Sequence, residues 1–187
     1  MTHDFRERLG FSQGVAMPEK LLEYLLSSIS GGLEIVPATE EEDRQGTDYW
    51  VRRDHGLPIV SVDVKHRDFD PVLKYGSDDA LIETTSVYRG PKNGPWLDCH
   101  REKPGWTLDT IKRTDLIVYT WPQPDGKRRF WILYFPFLYE AARRNWREWA
   151  KEYGERSAGN AGYLTLFICP PRRVIEEAIK ALTAGIT

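Results

Sequence analysis

Cysteine is scarce in this chain, and the two present, Cys99 and Cys169, lie far apart. That excludes a disulfide framework and a paired C-x-x-C metal knuckle. The histidines His3, His55, His66 and His100 show no zinc-ligand spacing either. No apolar run is long enough to cross a membrane, the nearest being FWILYFPFLY, interrupted by Pro136. No apolar segment opens the chain as a signal peptide does, so the expected setting is the reducing cytoplasm, with no membrane partner. Net charge is also small, −2, which leaves no global pull toward nucleic acid; such a partner must be held by local basic clusters or bridging metal ions. No glycine-rich loop precedes Lys-Ser or Lys-Thr, and no G-x-S-x-G elbow occurs, which argues against P-loop and serine-nucleophile chemistry.

What is present is an ordinary globular composition, 41% hydrophobic and 29% charged over 187 residues. There is no repeat or low-complexity linker, so one domain spanning 1–187 is expected. Pro18 to about Ile29 reads as a helix: Leu21, Leu22, Leu25, Leu26 and Ile29 form one stripe, and Gly31-Gly32 ends it. Strands are expected at 33–36, 48–52, 58–66, 80–87, 116–121 and 129–135, the last two joined by the turn QPDGK. The segment 138–153 reads as helical, 163–168 as a strand and 171–182 as a closing helix. The class is α/β, with a mixed central sheet flanked by helices.

The best strand, PIVSVDVKH (58–66), sets Val60, Val62 and Val64 on one face and Ser61, Asp63 and Lys65 on the other. Upstream, RRDHGLP has its natural reversal at His55-Gly56. If those two residues are the loop, Arg53 opposes Pro58, and counting on puts Asp48 opposite Asp63, with Lys65 on the same face. Like charges directly opposed in a sheet are destabilising unless something positive sits between them. A divalent cation held by oxygen ligands, Mg²⁺ (or Mn²⁺), is the economical candidate. With open coordination positions it binds a phosphate oxygen and a water, whose pKa it lowers for attack on a phosphodiester.

In Gly46-Thr47-Asp48 followed by Asp63-Val64-Lys65, after a leading helix, the chain resembles the PD-(D/E)XK nuclease superfamily, over roughly 18–121. The resemblance implies a restriction-endonuclease-like fold and a metal-dependent nuclease, with DNA as the expected partner. It implies that Asp48, Asp63 and the carbonyl of Val64 bind the metal and that Lys65 orients or activates the attacking water. Thr47 stands where the family's name has proline. A glutamate from the first helix is implied too, and Glu19 or Glu23 fits. Glu19 flanks the leucine stripe while Glu23 lies further toward solvent, which favours Glu19. Glu83 is a secondary candidate, read first as an exposed sheet charge.

Asp125-Gly126-Lys127 repeats the D-x-K pattern but falls in an expected hairpin turn and is assigned no role. His66 points away from Lys65's face in a regular strand and reads as a core or edge histidine. The seven tryptophans offer faces on which bases stack, but read mainly as core anchors. Arg143, Arg144 and Arg147 gather on one side of a helix, either as a backbone-tracking surface or as a solvated face. A second reading of the whole chain is a nucleic-acid or protein binding module that keeps the fold without turnover.

Overall fold

The valine alternation of 58–66 forms the longest strand of the computed structural model, which describes residues 19–28, 34–52, 58–92 and 95–184. The chain separates into two compact units. One is made of Leu9–Asp70 and Ile111–Phe135; the other includes Pro71–Thr110 and Pro136–Thr187.

In the first unit, helix α1 (Glu19–Ser28), strand β1 (Glu34–Pro37), helix α2 (Glu40–Arg44), β2 (Tyr49–Arg52) and β3 (Pro58–His66) precede β6 (Leu116–Pro122) and β7 (Arg128–Tyr134). Their five-stranded sheet has the order β1-β2-β3-β6-β7. It is mixed: β3 and β6 are parallel, with Asp63 beside Ile117 and Lys65 beside Tyr119, and the other pairs are antiparallel. Leu21 and Leu25 of α1 pack into one buried cluster with Val51, Val62, Val64 and Val118. Each such side chain contributes about 1.5–3 kcal/mol on burial, which commits β3's valine face to the core and leaves Asp63 and Lys65 on the other.

The second unit contains α3 (Pro71–Tyr75), β4 (Ile82–Tyr88), a 3₁₀ turn at Asp98–His100, and β5 (Arg101–Pro104). Helix α4 (Phe135–Tyr153), β8 (Arg156–Asn160), β9 (Tyr163–Ile168) and α5 (Arg172–Thr183) complete it. Its sheet is antiparallel, in the order β5-β4-β9-β8. Tyr88, Leu164 and Leu166 are buried there with Trp96 against them. Glu155 holds the Arg101 guanidinium, which also donates to Thr85 Oγ1 at 2.6 Å.

The α/β class and the elements built on apolar periodicity appear where the sequence places them, with 58–66 and 163–168 matched residue for residue. The strands divide between two sheets instead of one, and the second gains the edge strands β5 (REKP) and β8 (RSAGN), which carry almost no apolar pattern for the sequence to show. No helix among the described residues is long and apolar enough to cross a membrane.

Candidate active site

Asp48 is delivered by a short, tightly specified approach. Thr39 caps α2: its hydroxyl accepts the Glu42 N–H, and the Glu42 carboxylate accepts the Thr39 N–H at 2.7 Å. Gly46 ends the helix in the left-handed region, φ +97°. Thr47, 2% exposed, donates its hydroxyl to the Arg113 carbonyl at 2.9 Å, and the Asp48 N–H donates to Val62 O. β2 then runs with Tyr49 opposite Val62, Trp50 opposite Ser61 and Val51 opposite Val60. That is the expected register at Tyr49, Trp50 and Val51; the ladder ends at Tyr49, and Asp48 stands just before it. The register differs at the other end: an irregularity between Val51 and Arg52 places Arg52, not Arg53, opposite Pro58. His55 and Gly56 lie outside the described residues. The bulge takes up the extra residue before it reaches the carboxylates.

Four charged groups meet on this face. Asp63 is 1% exposed; Lys65 Nζ donates to its Oδ1 at 2.6 Å and Lys112 Nζ to its Oδ2 at 3.3 Å. Asp48 Oδ2 accepts the Val64 N–H at 2.6 Å, and the two carboxyls are within hydrogen-bond reach of each other. Burial, and after it the Asp63 charge, pushes the Asp48 carboxyl up to about 7. Burial also opposes ionisation of Asp63, but Lys65 and Lys112 overcome it and hold that carboxyl below its usual range. For Lys65 burial is outweighed by Asp63 and Asp48, so the ammonium is held above its usual range. Lys112 is lowered, by burial first and then by Lys65. Asp63 is thus the permanent anion of the cluster, and Asp48 the group that takes up a proton as the carboxyls crowd.

A dication is expected to reconcile the opposed carboxylates; Lys65 and Lys112 already bring positive charge to Asp63. Lys112 is the residue that sequence reading did not find. It stands 49 positions from Asp63, and no spacing rule links them. The donor set still suits a hard cation. Mg²⁺ is commonly bound through one or two carboxylates while keeping several waters, and Asp48 and Asp63 supply two carboxylates side by side. Among the described residues no group of three His, Cys, Asp or Glu side chains converges.

Glu19 opens α1, which packs on the valine face of the sheet; its side chain lies outside the described residues. Glu23 is exposed. The Val64 side chain is in the core and its N–H is taken by Asp48. Glu83 belongs to β4 in the other sheet, where its carboxylate accepts from Ser86 Oγ and the Trp106 N–H. Asp125 and Lys127 pair with each other at 2.9 Å in the β6–β7 hairpin, with Gly126 at φ +79°. His66 meets Thr120 Oγ1 through Nδ1 at 2.8 Å; burial, then the nearby Arg128 and Lys65 charges, lowers it to about 4.

The basic clusters are largely occupied internally. Arg143 and Arg144 both hold Glu140, Arg129 holds Asp70 and lies over the Trp121 ring, and Arg172 holds Glu176. Trp121, Trp131 and Trp149 are buried, so their faces are not open to bases. The Trp146 ring is covered by the guanidiniums of Arg101 and Arg147. No family model, curated protein or solved structure matches this chain.

Proposed function

We propose that this site is the centre of a metal-dependent nuclease, a phosphodiesterase with DNA as its expected substrate, carried on a restriction-endonuclease-like sheet. The observation that carries the reading is the convergence of Asp48, Asp63 and Lys65 at the junction of β2 and β3. Asp48 and Asp63 would hold Mg²⁺ or Mn²⁺ through their side chains, and the Val64 carbonyl through the backbone. The cation would supply an acidified water and charge neutralisation at phosphate. Lys65, fixed against Asp63, orients the attacking water and offsets the charge that develops on the phosphoryl oxygens. Glu19 belongs to the proposal as a further carboxylate of the acidic cluster. The proposed setting is the cytoplasm, in keeping with two cysteines that form no disulfide.

A binding module without turnover is the second reading. It is favoured by a specific observation: Lys65 and Lys112 already balance the charge of the pocket. Incubation with single-stranded DNA, duplex DNA and RNA, in Mg²⁺, Mn²⁺ or chelator, separates the two. The nuclease reading expects metal-dependent cleavage that Asp63→Ala and Lys65→Ala abolish. Equal cleavage by wild type and Asp63→Ala identifies a contaminant, whereas nucleic-acid binding without cleavage supports the module.

A further inference from the structure

Lys112 is set in place by more than its own ion pair. The Arg113 N–H donates to Gln45 O at 3.2 Å and the Arg113 carbonyl accepts from buried Thr47 at 2.9 Å, so the backbone beside Lys112 is tied to both flanks of Gly46. Two residues further on, the Asp115 N–H donates to Ser61 O and Oγ, which joins the segment to β3. The side chain then crosses Gly46 itself. A Cβ there would lie 2.5 Å from Lys112 Nζ and 2.6 Å from its Cδ. The glycine that precedes Asp48 therefore serves as the floor of a channel for this lysine.

The two lysines on Asp63 are held unequally. Lys65 is on the same strand and approaches to 2.6 Å, whereas Lys112 reaches Oδ2 from another segment at 3.3 Å. An oxygen held by the longer, weaker contact is the one a cation can take.

We propose that Lys112 is a displaceable counter-ion: it guards Asp63 Oδ2 in the metal-free protein, yields that oxygen to a divalent cation, and then turns to a non-bridging oxygen of the phosphate. The proposal rests on the metal-dependent reading above and assigns Lys112 a phosphate-binding role within it. An ammonium beside the metal ligands repels an incoming cation, so its removal raises metal affinity. The same removal takes a charged donor away from phosphate and weakens anion binding. A lysine that only supports the fold moves neither quantity in this paired way.

The test uses the full chain. Mn²⁺ affinity is measured by calorimetry for wild type, Lys112→Met and Lys112→Arg, and inorganic phosphate affinity is then measured on each Mn²⁺-loaded protein. Lys112→Met is expected to bind Mn²⁺ about tenfold tighter and phosphate about tenfold weaker. Lys112→Arg, which keeps the charge, stays within about twofold of wild type for Mn²⁺. Unchanged Mn²⁺ affinity in Lys112→Met overturns the guard, and unchanged phosphate affinity overturns the second role. Lysine acetylation followed by mass spectrometry needs no variant: Lys112 labels faster once Mn²⁺ is added, and phosphate restores its protection. Labelling indifferent to Mn²⁺ overturns the proposal even if Lys112→Met does not fold. A wild-type protein that binds no Mn²⁺ and cleaves nothing fails the nuclease reading itself and removes this proposal with it.

Discussion

Asp48 Oδ2 accepts the Val64 N–H at 2.6 Å, binding the residue that enters β2 to the middle of the D-x-K segment 16 positions later. Through this bond the first acidic element and the second become one rigid unit, with the two carboxyls side by side.

Replacing Asp63 exposes what it balances. Asp63→Asn keeps the shape but leaves two lysines without their shared anion in a buried setting. Removing one partner of a buried charged set is strongly destabilising, and about 3 kcal/mol is expected in urea unfolding at pH 7. Cleavage falls to background. A loss of stability below about 0.5 kcal/mol would show that the lysines are solvated and do not depend on Asp63.

The metal-free protein has a pH signature with two opposing parts. Asp48 is raised to about 7 in the fold against 3.8 in the open chain, so the native state binds the extra proton between these values. The stability Asp48 contributes is full below pH 4 and is lost as pH rises through 7. His66 is lowered to about 4 against 6.5, so its contribution is lost as pH falls from 6.5 to 4. Asp48→Asn removes the first part. Its stability relative to wild type therefore grows from pH 4 to pH 8, and the His66 slope stands alone below pH 6.5. Urea midpoints across this range check it, and a difference independent of pH would refute the assignment.

Metal binding must displace the Asp48 proton, so cation stabilisation rises with pH. Mn²⁺ at 100 times its dissociation constant adds about 2.7 kcal/mol. At fixed total Mn²⁺ the thermal shift should be large at pH 8 and small at pH 6 in wild type. Asp48→Asn loses most of it at both. A wild-type shift equal at the two pH values would remove Asp48 from the ligand set.

Gly46→Ala strains a left-handed backbone and pushes Lys112 aside, whereas Gly126→Ala, at φ +79° with open space around it, brings the strain alone. Both substitutions cost about 1–2 kcal/mol in stability. Only Gly46→Ala changes the site, and cleavage is its readout. Equal activity of the two variants would mean that the position of Lys112 does not matter.

Lys65→Met removes the ammonium that faces the reacting water in the proposed site. A preorganised donor of this kind is worth about 10²–10³ in kcat, and KM should change little. A rise in KM with kcat unchanged would make Lys65 a binding residue.

The valine face of β3 was legible because period-two alternation is the physics of a half-buried strand; the register of β2 was counted from a reversal at His55-Gly56, and it matches at Tyr49, Trp50 and Val51 but not at Pro58. Helix α2 was legible in principle through Thr39 and Glu42, whose spacing is that of a capping box. Lys112 was not legible. Its link to Asp63 depends on a parallel pairing of β3 with β6 across a long insertion and on a channel over Gly46, neither of which leaves a local pattern. Two strands of the second sheet, Arg101–Pro104 and Arg156–Asn160, escaped for a similar reason, since they are held by backbone pairing and not by apolar spacing.

Calorimetric titration of Mn²⁺ at pH 8 into wild type, Asp48→Asn and Asp63→Asn decides whether the two carboxylates hold a cation. The expected result is a saturable site in wild type that both substitutions abolish. A wild-type protein that takes up no Mn²⁺, or an Asp63→Asn protein that takes it up as well as wild type, would contradict it.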